Sequence, residues 1–206
     1  MKHIIFFIFA SLLLLSSGCG SQKTIVKKYY MIEEPDSLIN LQPDSSKMID
    51  AWCEVDEVKV YPAFASRRIV LRDASHQIRY FGNHEWAVRP TEILTPLIID
   101  YLSTHLVFKR VADRFWEVTP DYQLKTTIFK LELGTIEKKK FEARLRIRLE
   151  LIDAKTDTII TSHNVTRNTM LKKNDLNLWA SAISRMLHEE LSGFSEQIRK
   201  TLPANK

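Results

Sequence analysis

Between Phe141 and Leu151 the chain alternates without a break. Phe141, Ala143, Leu145, Ile147, Leu149 and Leu151 are apolar or small, and Glu142, Arg144, Arg146, Arg148 and Glu150 stand between them. Side chains of an extended strand point to opposite faces with a period of two, so this segment predicts a strand with one dry face and one wet face. A sheet that is dry on one side needs a second layer to cover it. The sequence supplies one after Asn174-Asp175, a pair suited to capping a helix. Leu176, Trp179, Ile183, Met186, Leu187, Leu191, Phe194 and Ile198 then recur at the spacing of one helical face.

A second helix is predicted where Leu94, Leu97, Ile98, Tyr101, Leu102 and Leu106 repeat at three and four residues. Pro96 leaves two starts open: either Thr95 caps and Pro96 begins the helix, or an earlier turn continues through the proline. Further strands are predicted at Lys28–Ile32, around Val55, Val58 and Val60 (closed by Pro62), at residues 108–111 and at Thr158–Met170. Arg68–Arg72 and Gln77–Phe81 form a hairpin around Asp73-Ala74-Ser75. In Tyr122–Leu133 the apolar phase shifts, with Leu124 and Ile128 pointing one way and Phe129, Leu131 and Leu133 the other, which a bulge near residue 128 would explain. The expectation is an α+β fold: a single two-layer domain with a largely antiparallel sheet, packed on one face by two helices and open on the other.

The first nineteen residues constrain where that domain works. Met1-Lys2-His3 is followed by an apolar run from Ile4 to Leu15, about 12 residues against the roughly 20 that a membrane-spanning helix needs. Ser16-Ser17-Gly18-Cys19 then resembles a lipoprotein cleavage site. Small residues suit a signal peptidase, and the Cys19 thiol can take a diacylglyceryl group. The common leucine three residues before the cysteine is replaced by Ser16, with Leu15 one place further back. The expected organisation is a signal peptide over 1–18, the lipidated Cys19 and a tether over 19–27, a folded domain over 28–201 and a tail over 202–206. Residues 20–27 span at most about 26–29 Å, which keeps the domain close to the membrane. By resemblance to Gram-negative lipoproteins, an aspartate after the cysteine would favour the inner membrane; Gly20 lacks that mark, so the outer membrane, facing the periplasm, is the expected site. A Gram-positive surface remains the alternative.

Removing 1–18 takes one lysine from the 30 basic residues and none of the 25 acidic ones, a balance too mild to argue for nucleic acid. With Cys19 lipidated, Cys53 has no partner for an internal disulfide and reads as a buried, inert thiol.

No grouping of residues announces chemistry. His76, His84, His105, His163 and His188 stand apart, without metal-ligand spacing, and five glycines build neither a nucleophile elbow nor a phosphate loop. His84-Glu85, in a hairpin or loop, reads as a surface polar pair before it reads as an acid–base pair. Neither an enzyme nor a cofactor is expected. The basic ribbon of Lys138, Lys139, Lys140, Arg144, Arg146 and Arg148 could dock an acidic partner or anionic lipid. The plainer alternative, a solvated sheet face, is preferred.

Val58-Lys-Val-Tyr-Pro62, the arginines of Arg67-Arg68-Ile-Val-Leu-Arg72, the Tyr80 to Trp86-Ala87 spacing and Asp121-Tyr122-Gln123-Leu124, with the early pair Tyr29-Tyr30, resemble the ABC-type transport auxiliary lipoprotein family over residues 28–200. The chain departs from that pattern at Pro96 and at Arg89-Pro90, where an acidic residue is usual before the proline. The resemblance implies an ABC permease and ATPase and an MCE-domain protein as partners, in the movement of lipids or other hydrophobic compounds across the periplasm. Arg67, Arg68, Arg72, Tyr80 and Trp86 are then the candidate partner-binding residues. Alternatively, Tyr80 and Trp86 are core and the arginines merely solvated. Two other functions compete: a stand-alone lipid-binding lipoprotein, which needs an apolar cavity, and a lipoprotein hydrolase, for which motifs are missing.

Overall fold

The computed structural model describes residues 26–34, 44–73, 76–137 and 140–202. The signal peptide, Cys19, most of the tether, Lys138, Lys139 and residues 203–206 lie outside them.

The strongly alternating segment forms the strand β8 (Lys140–Asp153), and its predicted dry residues Ala143, Leu145, Ile147, Leu149 and Leu151 are all buried. It lies between β7 (Tyr122–Glu137) and β9 (Thr158–Met170) in two long antiparallel ladders. The bulge expected near residue 128 is present as a register shift between Ile128 and Lys130. It leaves Leu124, Ile128, Leu131 and Leu133 all buried on the core face. Phe129, expected to share the face of Leu131 and Leu133, is instead turned by the bulge to the open side, where it meets Tyr61 and the guanidinium groups of Arg146 and Arg148.

The other edge of β7 is shared by three short strands in succession, each parallel to it. They are β2 (Ile49–Val55), β3 (Lys59–Val60) and β4 (Arg68–Arg72). Asp56-Glu57 and the 3-10 turn Pro62–Phe64 interrupt what would otherwise be one strand. β2 begins six residues before Val55, because Ile49, Ala51, Cys53 and Val55 are buried and alternate with Asp50, Trp52 and Glu54. Outside β2 lies β6 (Phe108–Ala112), in parallel. β4 pairs antiparallel with β5 (Ile78–Trp86), and β1 (Lys28–Tyr30) adds in parallel to β5. The nine strands among the described residues form one mixed sheet, largely antiparallel because its long ladders are. β5 runs on to Trp86, so His84 and Glu85 lie in a strand and not in a loop.

Two helices supply the second layer. α1 (Pro90–Thr104) opens with proline in its first turn, where a missing N–H costs nothing, and continues through Pro96. Of the two predicted starts, the earlier is the one observed. Thr95 Oγ1 accepts a bond from the Val58 N–H at 2.9 Å, so it ties the helix to the sheet instead of capping it. Leu106 follows the helix with φ 47°. α2 (Leu176–Thr201) is capped by Asp175, whose carboxylate accepts from the Asn177 N–H at 2.7 Å. All eight residues of its predicted apolar face are buried. They join β8 and β2 in one continuous core, with the Trp86 and Trp179 rings 4.8 Å apart.

Candidate interaction surface

The β4–β5 hairpin and the adjoining β1 bring three of the predicted contact residues together. Arg68 lies over the Tyr80 ring at 3.9 Å, and Arg67 over the Tyr29 ring at 5.3 Å. Arg67 also donates from Nε to the Trp86 carbonyl at 3.0 Å, and Tyr80 Oη reaches the Ala63 carbonyl at 3.5 Å. Lys27 and Glu85 pair at 2.7 Å beside them. The result is a strip of guanidinium groups stacked on tyrosines, held by the strand backbone. Flat rings and planar cations of this kind offer a partner large contact area at low entropic cost. Tyr29, more than half exposed, belongs to the strip, although sequence reasoning used it only as a family mark.

The other two predicted contact residues are corrected. Trp86 is 2% exposed and lies against Trp179, so it is core. Arg72 reaches Glu132 through Nε, at 3.0 and 2.8 Å to the two carboxylate oxygens. The Glu132 side chain has no exposure, and Arg144 approaches it at 3.5 Å while also bonding Glu142. Gly134 makes room for this arrangement, because a Cβ there would strike the Arg144 guanidinium. Arg72 therefore neutralises a buried carboxylate.

The remaining arginines of the basic ribbon are likewise engaged. Arg146 and Arg148 lie over Phe129, and Arg148 pairs with Glu150 at 3.3 Å. Their geometry fits the solvated-face reading.

A second exposed feature had no strong sequence signal. Between β6 and β7, Trp116 is 82% exposed with Arg114 stacked at 4.6 Å. Phe115 fixes the loop, through its N–H to Glu54 Oε2 at 3.0 Å and its ring against Trp52 at 5.0 Å.

Among the described residues no group of three or more His, Cys, Asp and Glu is placed to hold a metal. His84 and Glu85 point to different partners. His84 Nδ1 lies 2.7 Å from Tyr30 Oη, and Glu85 holds Lys27. His163 Nε2 is 2.6 Å from Glu190, which Arg167 also binds at 2.7 Å, so this pair ties β9 to α2. Cys53 is fully buried, and burial pushes its thiol far above the ordinary range, which keeps it unreactive. Grooves of about 770 and 670 Å³ flank Tyr29 and Tyr30 but are open and edged by Glu33, Glu34, Arg185 and Asp175. The apolar pocket between Met31, Trp86 and Ile93 is too small to admit even a water molecule. No helix among the described residues is long and apolar enough to cross a membrane.

No curated protein matches the chain by sequence. The fold is similar to that of a Xanthomonas campestris protein of family DUF330, with a TM-score of 0.71 and 15% identity over 84% of this chain and 95% of that one. A second solved structure, of an uncharacterized protein, gives a TM-score of 0.66 and 14% identity over 84% and 99% of the two chains. A hypothetical protein from Chlamydia trachomatis gives 0.52 and 7% over 76% and 99%. The family model described as the ABC-type transport auxiliary lipoprotein component matches residues 30–198, from β1 to the last turn of α2. This chain therefore belongs to the ABC-type transport auxiliary lipoprotein family.

Proposed function

We propose that the chain is an outer-membrane lipoprotein, cut before Cys19 and anchored there by lipid. It faces the periplasm and serves an ABC and MCE-type system that moves lipids or other hydrophobic compounds. It acts by docking to protein partners and catalyses nothing. The observation that carries this reading is the family match, which begins at residue 30, directly after the expected tether. The arginine–tyrosine strip of Arg67, Arg68, Tyr29 and Tyr80 is the surface offered to the MCE-domain protein. A stand-alone lipid carrier is less favoured, since the apolar pocket described above is much smaller than the roughly 300–1,000 Å³ of ordinary ligand sites.

Crosslinking in cells, followed by membrane extraction, pull-down and mass spectrometry, tests the role. Recovery of an MCE-domain protein with the wild type, reduced in Cys19→Ala and in Arg68→Glu, is the expected result. Co-purified lipid without any such partner would replace this reading with the lone carrier.

A further inference from the structure

The sheet has two ends, and the strand registers fix which one the membrane anchor can reach. β1 runs parallel to β5, with Lys28 opposite His84, and β5 runs antiparallel to β4, with Ile78 opposite Arg72. Arg72 in turn lies opposite Gly134, near the end of β7. Followed backward from Lys28, the chain therefore heads toward the end of the sheet where β7 turns into β8. Residues 19–25 can extend at most about 25 Å. The level of Val26 falls close to Glu132 on β7, so the turn end, near Glu137, is about 17 Å away along the strand. The opposite end, at Tyr122, is about 33 Å away. A domain standing on that opposite end would leave its own tether too short to reach the bilayer.

The reachable end is also the basic one. Lys172 and Lys173, in the β9–α2 loop, stand there beside Lys140 at the start of β8, and all three are exposed. Among the described side chains, the carboxylates at the same end are Asp73, Glu142 and Asp175. Asp73 is held by Arg79 at 2.9 Å, Glu142 by Arg144, and Asp175 by the start of α2. Ile136 and Met170 stand among the lysines, 42% and 53% exposed. At the opposite end Glu54, Asp56, Glu57, Asp113, Glu117, Asp121, Asp153 and Asp157 face fewer cations.

From tether length, register and charge together, we propose that the β7–β8 end of the sheet rests on the anionic headgroups of the membrane that holds Cys19. The lysines meet lipid phosphate, Ile136 and Met170 lap the interface, and the acidic end with Trp116 points away from the bilayer. This rests on the lipid anchor at Cys19.

The test uses the lipidated chain in vesicles of phosphatidylethanolamine, with or without phosphatidylglycerol, and a nitroxide quencher on the lipid headgroups. A fluorophore is attached in separate samples to Met170→Cys and to Lys155→Cys, in the turn at the far end. Cys53 is buried and does not compete for the label. The expected result is several-fold stronger quenching at 170 than at 155 when phosphatidylglycerol is present. Lys172→Glu with Lys173→Glu should weaken it, and Lys172→Arg with Lys173→Arg should keep it. Equal quenching at both positions with intact lipidation would overturn the orientation alone. Quenching that ignores phosphatidylglycerol would overturn the headgroup contact and leave the lysines to an acidic protein. Lack of lipid on Cys19 would overturn both the anchor and the orientation.

Discussion

A carboxylate with no solvent exposure has to be neutralised where it stands, and Glu132 depends on Arg72 and Arg144 for that. Arg72→Met leaves Glu132 with only the longer Arg144 contact, and the expected loss is about 3 kcal/mol. Arg68→Met, which removes only a surface stack, should cost under about 1 kcal/mol. Urea unfolding of the two variants separates the structural arginine from the candidate docking one. Similar losses from both would contradict the division. His188 is the other residue with a definite electrostatic consequence. It is 2% exposed, and neither ring nitrogen has a hydrogen-bond partner among the described residues. Burial holds it below its ordinary value of 6.5, despite Glu34 nearby, which acts in the opposite sense. A histidine kept neutral by the fold contributes its full stability above about pH 6.5, and that contribution is lost as the pH falls below it. The urea midpoint of the wild type should therefore fall between pH 7 and pH 5 more steeply than that of His188→Leu. Parallel pH profiles would show that His188 does not titrate against the fold.

At the scale of elements, what the sequence made legible was whatever a periodic pattern could carry. β8 and α2 were readable because their dry faces are continuous, eleven and twenty-three residues long from Phe141 to Leu151 and from Leu176 to Ile198. The bulge in β7 was readable as a phase error. β2 was cut short, because Trp52 and Cys53 interrupt the usual branched-residue signal although the alternation continues from Ile49. Arg72 and Trp86 were misplaced for a related reason. Residue type suggested a contact surface, but β5 has no clean inside–outside alternation to show which way Trp86 faces. Pro96 opposes its own element. It removes an N–H from the middle of α1, and Pro96→Ala should stabilise the domain by about 1–2 kcal/mol once the stiffer unfolded chain of the proline form is allowed for. Thermal unfolding checks this, and a lower melting temperature would mean that the proline fits a local bend the helix needs.

For the whole molecule, the α+β layering could be foreseen, but the parallel pairings of β2, β3 and β4 along one edge of β7 could not. Two- to seven-residue strands read alike in either direction, and their partners lie some seventy residues away. Yet these pairings set the direction of β1 and so the end of the sheet nearest the anchor. The polarity that results, basic toward the tether and acidic away from it, is a property of topology that no local window contains. It gives the docking role a geometry: one end committed to the bilayer, with the arginine–tyrosine strip and the Trp116 loop left for partners. All of it depends on covalent attachment at one residue. The most direct test is the intact mass of the protein extracted from membranes. The predicted result is a chain that begins at Cys19 and carries the added mass of a diacylglyceryl group. A chain that begins elsewhere, or carries an unmodified Cys19, would contradict the lipid-anchored docking role.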